Sequence, residues 1–130
     1  MRRPIGTMLG VALALALGAC SSGGGGGGGN ATATCEPAGA SLAVEAKNFQ
    51  FVEKCLAAPA NAKFTIAFHN EDAGAPHNVA IVNGNGDKVF TGTVFTGDKT
   101  ETYDVGVLPA GTYSFHCDVH QTMTGTMVVE

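Results

Sequence analysis

Residues 111–129 read Gly111-Thr112-Tyr113-Ser114-Phe115-His116-Cys117-Asp118-Val119-His120-Gln121-Thr122-Met123-Thr124-Gly125-Thr126-Met127-Val128-Val129. Tyr113, Phe115 and Cys117 alternate with Thr112, Ser114 and His116, the period of two that sends successive side chains to opposite faces of a strand. Met127 and Val129 take up the same alternation further on. Between the two apolar runs lies a short loop with a thiol, an imidazole and a thioether at C-x2-H-x2-M spacing. A strand, a donor-bearing loop and a return strand are therefore written into fewer than twenty residues.

Working outward, the period stays at two. Leu42, Val44 and Ala46 alternate with Ser41, Ala43 and Glu45, and Phe64, Ile66 and Phe68 alternate with Lys63, Thr65, Ala67 and His69. Turn-forming clusters separate the runs: Ala58-Pro59-Ala60-Asn61, Asn83-Gly84-Asn85-Gly86-Asp87, Thr96-Gly97-Asp98 and Leu108-Pro109-Ala110-Gly111. No segment has the 3.6 period of a long amphipathic helix. The pattern predicts an all-β domain over residues 35–130, a Greek-key β-sandwich or barrel of seven to eight strands. With no Trp in the chain, and with this cysteine spacing, the markers of an immunoglobulin domain are missing.

The 130 residues include nineteen glycines, and ten of these precede residue 30. The excess belongs to the segments before the β domain. Arg2 and Arg3 followed by the Leu/Ala-rich stretch from Val11 to Leu17 read as an export signal, too short to cross a membrane as a helix. Leu17-Gly18-Ala19-Cys20 resembles the lipobox of bacterial lipoproteins. That resemblance implies a signal peptide over 1–19, cleavage before Cys20, lipid on Cys20, and an extracytoplasmic, membrane-anchored protein. The Gly/Ser-rich stretch 20–34 then reads as a flexible tether. It is no phosphate cradle, since no strand precedes it and no GK[ST] follows. Without Arg2 and Arg3, five lysines against eleven carboxylates leave a net charge of −6, which excludes a nucleic-acid surface.

The donor loop offers Cys117, His120 and Met123, and Pro76-His77-Asn78 offers a further imidazole at a strand start. Two His nitrogens, one thiolate and a weak axial Met form the ligand set of blue copper. Other polar residues read as structural. His116 lies on the opposite face of its strand from Cys117, His69 is out of phase with Phe68, and Met127 fits the core alternation. Glu71-Asp72 reads as a solvated turn rather than an acid–base pair. Asn83–Asp87 reads as a Gly/Asn turn, since it lacks the spacing and final Glu of an EF-hand.

On these residues the chain resembles the cupredoxins across 35–130. His69-Asn70-Glu71-Asp72-Ala73-Gly74-Ala75-Pro76-His77-Asn78 is similar to the loop carrying the first histidine ligand of bacterial members. The 117–123 loop is similar in length to that of amicyanin, and Gly125–Glu130 resembles the closing strand. The resemblance implies His77, Cys117 and His120 as equatorial ligands and Met123 as axial ligand of one type 1 copper ion. It also implies that Asn78 ties the first ligand loop to the cysteine loop. Two positions depart from the family pattern: Asp118 stands where Ser or Thr is common, and Gln121 where Pro is common. A carboxylate at 118 lowers the copper potential unless it is hydrogen-bonded or faces solvent.

Four cysteines in an exported chain allow two disulfides. With Cys20 assigned to lipid and Cys117 to metal, Cys35 and Cys55 are expected to pair in an oxidising compartment. The expected function is that of a single-electron carrier and not an enzyme. It is expected to be a monomer that docks transiently with a redox partner around the His120 edge, where Ala75, Pro76, Leu108, Pro109 and Val119 are the candidate apolar contacts. The alternative is a copper-delivery protein. An oxidase or nitrite reductase is disfavoured by a total of four His and by His116-Cys117-Asp118 in place of a His-Cys-His run.

Overall fold

Alternation at Leu42, Val44 and Ala46 becomes β1 (Ser41–Lys47), with those three side chains buried and their neighbours turned outward. The chain turns through Asn48 and Phe49 into the two-residue β2 (Gln50–Phe51) and passes through β3 (Cys55–Ala58) to β4 (Lys63–Asn70). There follow β5 (Ala80–Val82), β6 (Lys88–Thr91), β7 (Lys99–Val107), β8 (Gly111–His116) and β9 (Thr124–Val129). This is a computed structural model, and it describes Cys35 and residues 39–130. The leader, Cys20 and most of the tether lie outside the described residues.

The nine strands of the described residues form two sheets, one ordered β2-β1-β4-β7 and the other β3-β9-β8-β5-β6. The chain crosses repeatedly between them, so neighbours in space are often distant in sequence. Thus β1 runs parallel to β4, and β3 runs parallel to β9. The expected count was seven or eight. The additional short element, β2, has only two residues, too few for a period to show, and exists because Ala46 and Lys47 pair with Phe51 and Gln50.

The core lies between the sheets. Leu42, Val44, Phe64, Ile66 and Phe68 from one meet Ile81, Tyr113, Phe115, Met127 and Val129 from the other. Phe51 bridges them, with ring centroids 6.2 Å from Phe68 and 5.2 Å from Phe115. Burying a side chain of this size is worth roughly 1.5–3 kcal/mol. Gly125 pairs directly with Phe115 across β8 and β9, and a Cβ there would collide with the Phe115 ring. Cys35 and Cys55 are joined by a disulfide that fastens the chain ahead of β1 to the start of β3.

Candidate metal centre

β8 ends at His116, and the loop that follows is closed by its own backbone. The Cys117 amide donates to the Met123 carbonyl at 3.0 Å, and the Met123 amide donates to the His120 carbonyl at 3.0 Å. These bonds give the loop a defined shape although Gln121 supplies none of proline's rigidity. His77 is placed from the other side, where it exchanges two backbone hydrogen bonds of 3.1 Å with Phe95.

The two loops bring three donors together. The Cys117 Sγ lies 3.8 Å from His77 Nδ1 and 3.8 Å from His120 Nδ1, and the two nitrogens are 3.1 Å apart. Two imidazole nitrogens and a thiol converge on one point more closely than repulsion between lone pairs would favour. An ion at ordinary bond lengths of about 2.0 Å to nitrogen and 2.3 Å to sulfur fits near the middle of that triangle. The donor chemistry, two imidazoles and one soft thiolate, suits copper. Met123 is fully buried and is held by the loop's backbone bonds to Cys117 and His120. Cys117 is a buried free thiol.

The histidine tautomer follows from Asp72. His77 Nε2 lies 2.9 Å from Asp72 Oδ2, and an ionised carboxylate can only accept. Nε2 therefore carries the proton and Nδ1 presents its lone pair to the cluster. Burial pushes the Asp72 carboxyl upward, but the Phe49 and Asn48 amides and the His77 ring outweigh it and hold the pKa below the usual carboxylate range. The expectation that Glu71-Asp72 is simply a solvated turn fails at Asp72. Its side chain is largely buried and accepts hydrogen bonds from Asn48 N, Phe49 N and His77 Nε2. Glu71 does face solvent, paired with Lys47.

Asn78 is fully buried. It donates to Asp118 Oδ2 at 2.9 Å and to the Gly92 carbonyl at 2.9 Å, and accepts from the Asp118 amide at 2.8 Å. Asp118 is further held by Lys88 Nζ at 2.6 Å and by His116 Nε2 at 3.1 Å. The Lys88 hydrogen bond, more than any other contact, keeps its carboxyl below the ordinary range against the pull of burial. The carboxylate beside the thiol is thus hydrogen-bonded, the condition under which its effect on a potential is blunted.

Residues expected to remain outside the cluster do so. His69 bonds Asp98 at 2.9 Å, and Met127 is core. Asn83 Oδ1 accepts from the Asn85 and Asp87 amides and caps its own turn. Among the described residues a second donor group, Glu45, His69 and Glu71, is partly exposed and contains no sulfur. The apolar surface differs from expectation. Ala75 and Leu108 are buried, at 8% and 6% exposure, whereas Val119 is 44% exposed. The residue sequence reasoning missed is Phe49, 51% exposed, its ring edge-on to His120 at 5.1 Å and to His77 at 5.7 Å. The available signal was a large aromatic in the outward phase of the β1 alternation. Asn70 was missed as well. It is fully buried in the inward phase of β4 after Phe64, Ile66 and Phe68, donates to the Ala75 carbonyl and accepts from the Asp72 amide.

The family model of the cupredoxin-like domain matches residues 9–129. The chain belongs to the cupredoxin-like family. This cupredoxin is 37% identical over 67 residues to amicyanin of Paracoccus denitrificans, a stretch covering 51% of this chain and 49% of that protein. The match thus spans about half the length of that relative. Among solved structures, auracyanin A of Chloroflexus aurantiacus, described as a "blue" copper protein, superposes with a TM-score of 0.63 at 19% identity, over 72% of this chain and 100% of the other. Amicyanin of Paracoccus versutus gives a TM-score of 0.53 at 25% identity, over 69% of this chain and 81% of the other. The auracyanin likeness speaks for the fold: the two-sheet, all-β architecture of this cupredoxin is that of its structural neighbours.

Proposed function

We propose that this protein is an extracytoplasmic carrier of single electrons that holds one type 1 copper ion through His77, Cys117 and His120, with Met123 as a weak axial ligand. The observation that carries the reading is the convergence of His77 Nδ1, His120 Nδ1 and Cys117 Sγ within 4.8 Å of one another. Bound copper supplies a Cu(I)/Cu(II) couple, and the chain's residues do the rest. His77, Cys117 and Met123 are fully buried, so water is kept from the sulfur donors. His120 is only partly buried and gives the cluster its route to the surface. Phe49 and Val119 supply exposed apolar area at the His120 end of the molecule, suited to brief, small docking contacts. The acidic net charge favours a basic partner. Burial of both sulfur donors disfavours the alternative of copper delivery, which calls for thiols and thioethers that a recipient can reach.

Residues 1–19 are proposed as a lipoprotein signal peptide, Cys20 as the lipid-bearing residue and 20–34 as the tether of a monomeric domain spanning 35–130. Addition of Cu(II) to the full chain is expected to give an intense thiolate-to-copper band and narrow copper hyperfine splitting, both absent from Cys117→Ala. A colourless copper complex of the unaltered chain would overturn the assignment. A fast, reversible redox couple with slow loss of copper to a chelator separates the electron carrier from the delivery protein, which would hand copper over rapidly.

A further inference from the structure

Three features meet at one carboxylate. Asp72 Oδ1 accepts from the Asn48 amide at 2.8 Å, and Oδ2 accepts from the Phe49 amide at 2.9 Å and from His77 Nε2 at 2.9 Å. The two amides belong to the turn between β1 and β2. Both residues there have positive φ, 52° at Asn48 and 58° at Phe49. That conformation is tolerable for Asn and unfavourable for Phe. Lys47 pairs with Gln50 across these two residues, so the tight hairpin turn itself calls for positive φ at both, and the two hydrogen bonds to Asp72 hold the turn's amides in place. Its result is that the Phe49 ring stands edge-on to His77 and His120 while half exposed. The Asp72 amide is in turn fixed by Asn70 Oδ1 at 2.9 Å, and Asn70 is buried.

We propose that Asp72 is a positioning residue that makes the β1–β2 turn and the His77 imidazole one mechanical unit: its carboxylate sets which ring nitrogen of His77 faces the metal cluster and at the same time presents Phe49 across both histidines. A partner that presses on Phe49 therefore presses on the carboxylate that orients His77. The relevance to copper rests on the assignment of His77 as a ligand, but the linkage itself is a property of the chain and is measurable without metal. The geometry demands a carboxylate in particular. Three donors approach two oxygens, and an asparagine at 72 has one oxygen and an NH2 group. If its oxygen faces Phe49 and His77, a donor confronts the Asn48 amide; if the oxygen faces Asn48, a donor confronts both others.

The test compares the full chain with Asp72→Asn in the metal-free state. Imidazole nitrogen NMR of the unaltered chain is expected to show His77 protonated at Nε2 with a slowly exchanging proton. In Asp72→Asn that tautomer preference is expected to weaken and the Phe49 amide to exchange about tenfold faster, the effect of losing one hydrogen bond to a charged acceptor. The Phe68 amide, in the middle of β4, is expected to keep its protection, and Glu71→Gln, next door and paired with Lys47, to leave both readouts where they are. With copper added, the Asp72→Asn absorption band is expected to shift. If His77 and Phe49 both keep wild-type behaviour in Asp72→Ala, which has no oxygen to offer either donor, or if only one of them changes there, the linkage is refuted. Equal loss of protection at Phe68 refutes it too, because Asp72 would then be a general stabiliser. Should Asp72→Asn not fold, Asp72→Ser, smaller and also short of an acceptor, is read by the same criteria. A colourless copper complex of the unaltered chain would defeat the copper assignment while leaving the two metal-free readouts to decide the linkage.

Discussion

Asn78 and Asp118, forty residues apart, exchange two hydrogen bonds: the Asn78 amide group donates to the Asp118 carboxylate at 2.9 Å, and the Asp118 backbone amide donates to Asn78 Oδ1 at 2.8 Å. The pair locks the loop after Cys117 to the segment that carries His77. Asn78→Ala would leave the Asp118 amide and the Gly92 carbonyl without this partner. Each such group costs about 1–3 kcal/mol when buried. Counting only the carbonyl of the buried Gly92 at about 1–3 kcal/mol, and about 4–8 °C per kcal/mol for a domain of this size, a fall in melting temperature of roughly 4–24 °C is expected. The copper-loaded variant should also show an altered visible band. Thermal melts that match the unaltered chain would show that the bridge carries no load.

The close approach of Gly125 to Phe115 predicts a size-dependent defect. A methyl at 125 would overlap the Phe115 ring, which is fully buried and in contact with Phe51. Gly125→Ala is expected to cost about 1–3 kcal/mol, the usual range for overpacking. Adding Phe115→Leu should make the alanine cheaper than it is alone, so a double-mutant cycle by denaturant unfolding should give a non-zero coupling. Additive effects would point to a different source of strain.

The disulfide between Cys35 and Cys55 closes a separation of 20 residues. Cys35→Ser with Cys55→Ser is expected to reduce stability by about 3 kcal/mol on the loop-entropy account. The denatured, oxidised chain without a Cys20 thiol should titrate with one free thiol, that of Cys117. Three would mean that the pair does not form in the isolated protein.

Phe49 is half exposed and touches both histidine rings. Phe49→Ala removes apolar docking area but none of the cluster's donor atoms. In the proposed electron carrier it should leave the copper EPR spectrum near that of the unaltered chain and slow electron exchange by about tenfold or more, the cost of one good interface anchor. Unchanged exchange kinetics would place docking elsewhere on the surface.

How much of this was legible beforehand differs from residue to residue. The inward phase of β1, β4 and β8 was readable because burial of alternate side chains is a local property of each strand. The donor loop was readable because Cys117, His120 and Met123 are close in sequence and chemically distinctive. Phe49 and Asp72 were not. A phenylalanine after a strand looks like any exposed apolar residue, and an aspartate beside a glutamate looks like a wet turn. Their meaning comes from the approach of the 48–49 turn to residue 72, more than twenty residues away. The same holds for Ala75 and Leu108: both sit beside turn residues, yet the surrounding chain covers them.

The sequence by itself determined the all-β class, the chemical identity of the donors and the one-sided burial of each strand, since all three depend on neighbours within a few positions. The tertiary structure alone decided that His77 and His120, 43 residues apart, bring their Nδ1 atoms to 3.1 Å, and that Asp72 joins one of them to Phe49. Those relations depend on how two sheets stack and on which loops meet at one end. A period of two says which face a side chain takes; it does not say which distant side chain it will meet there.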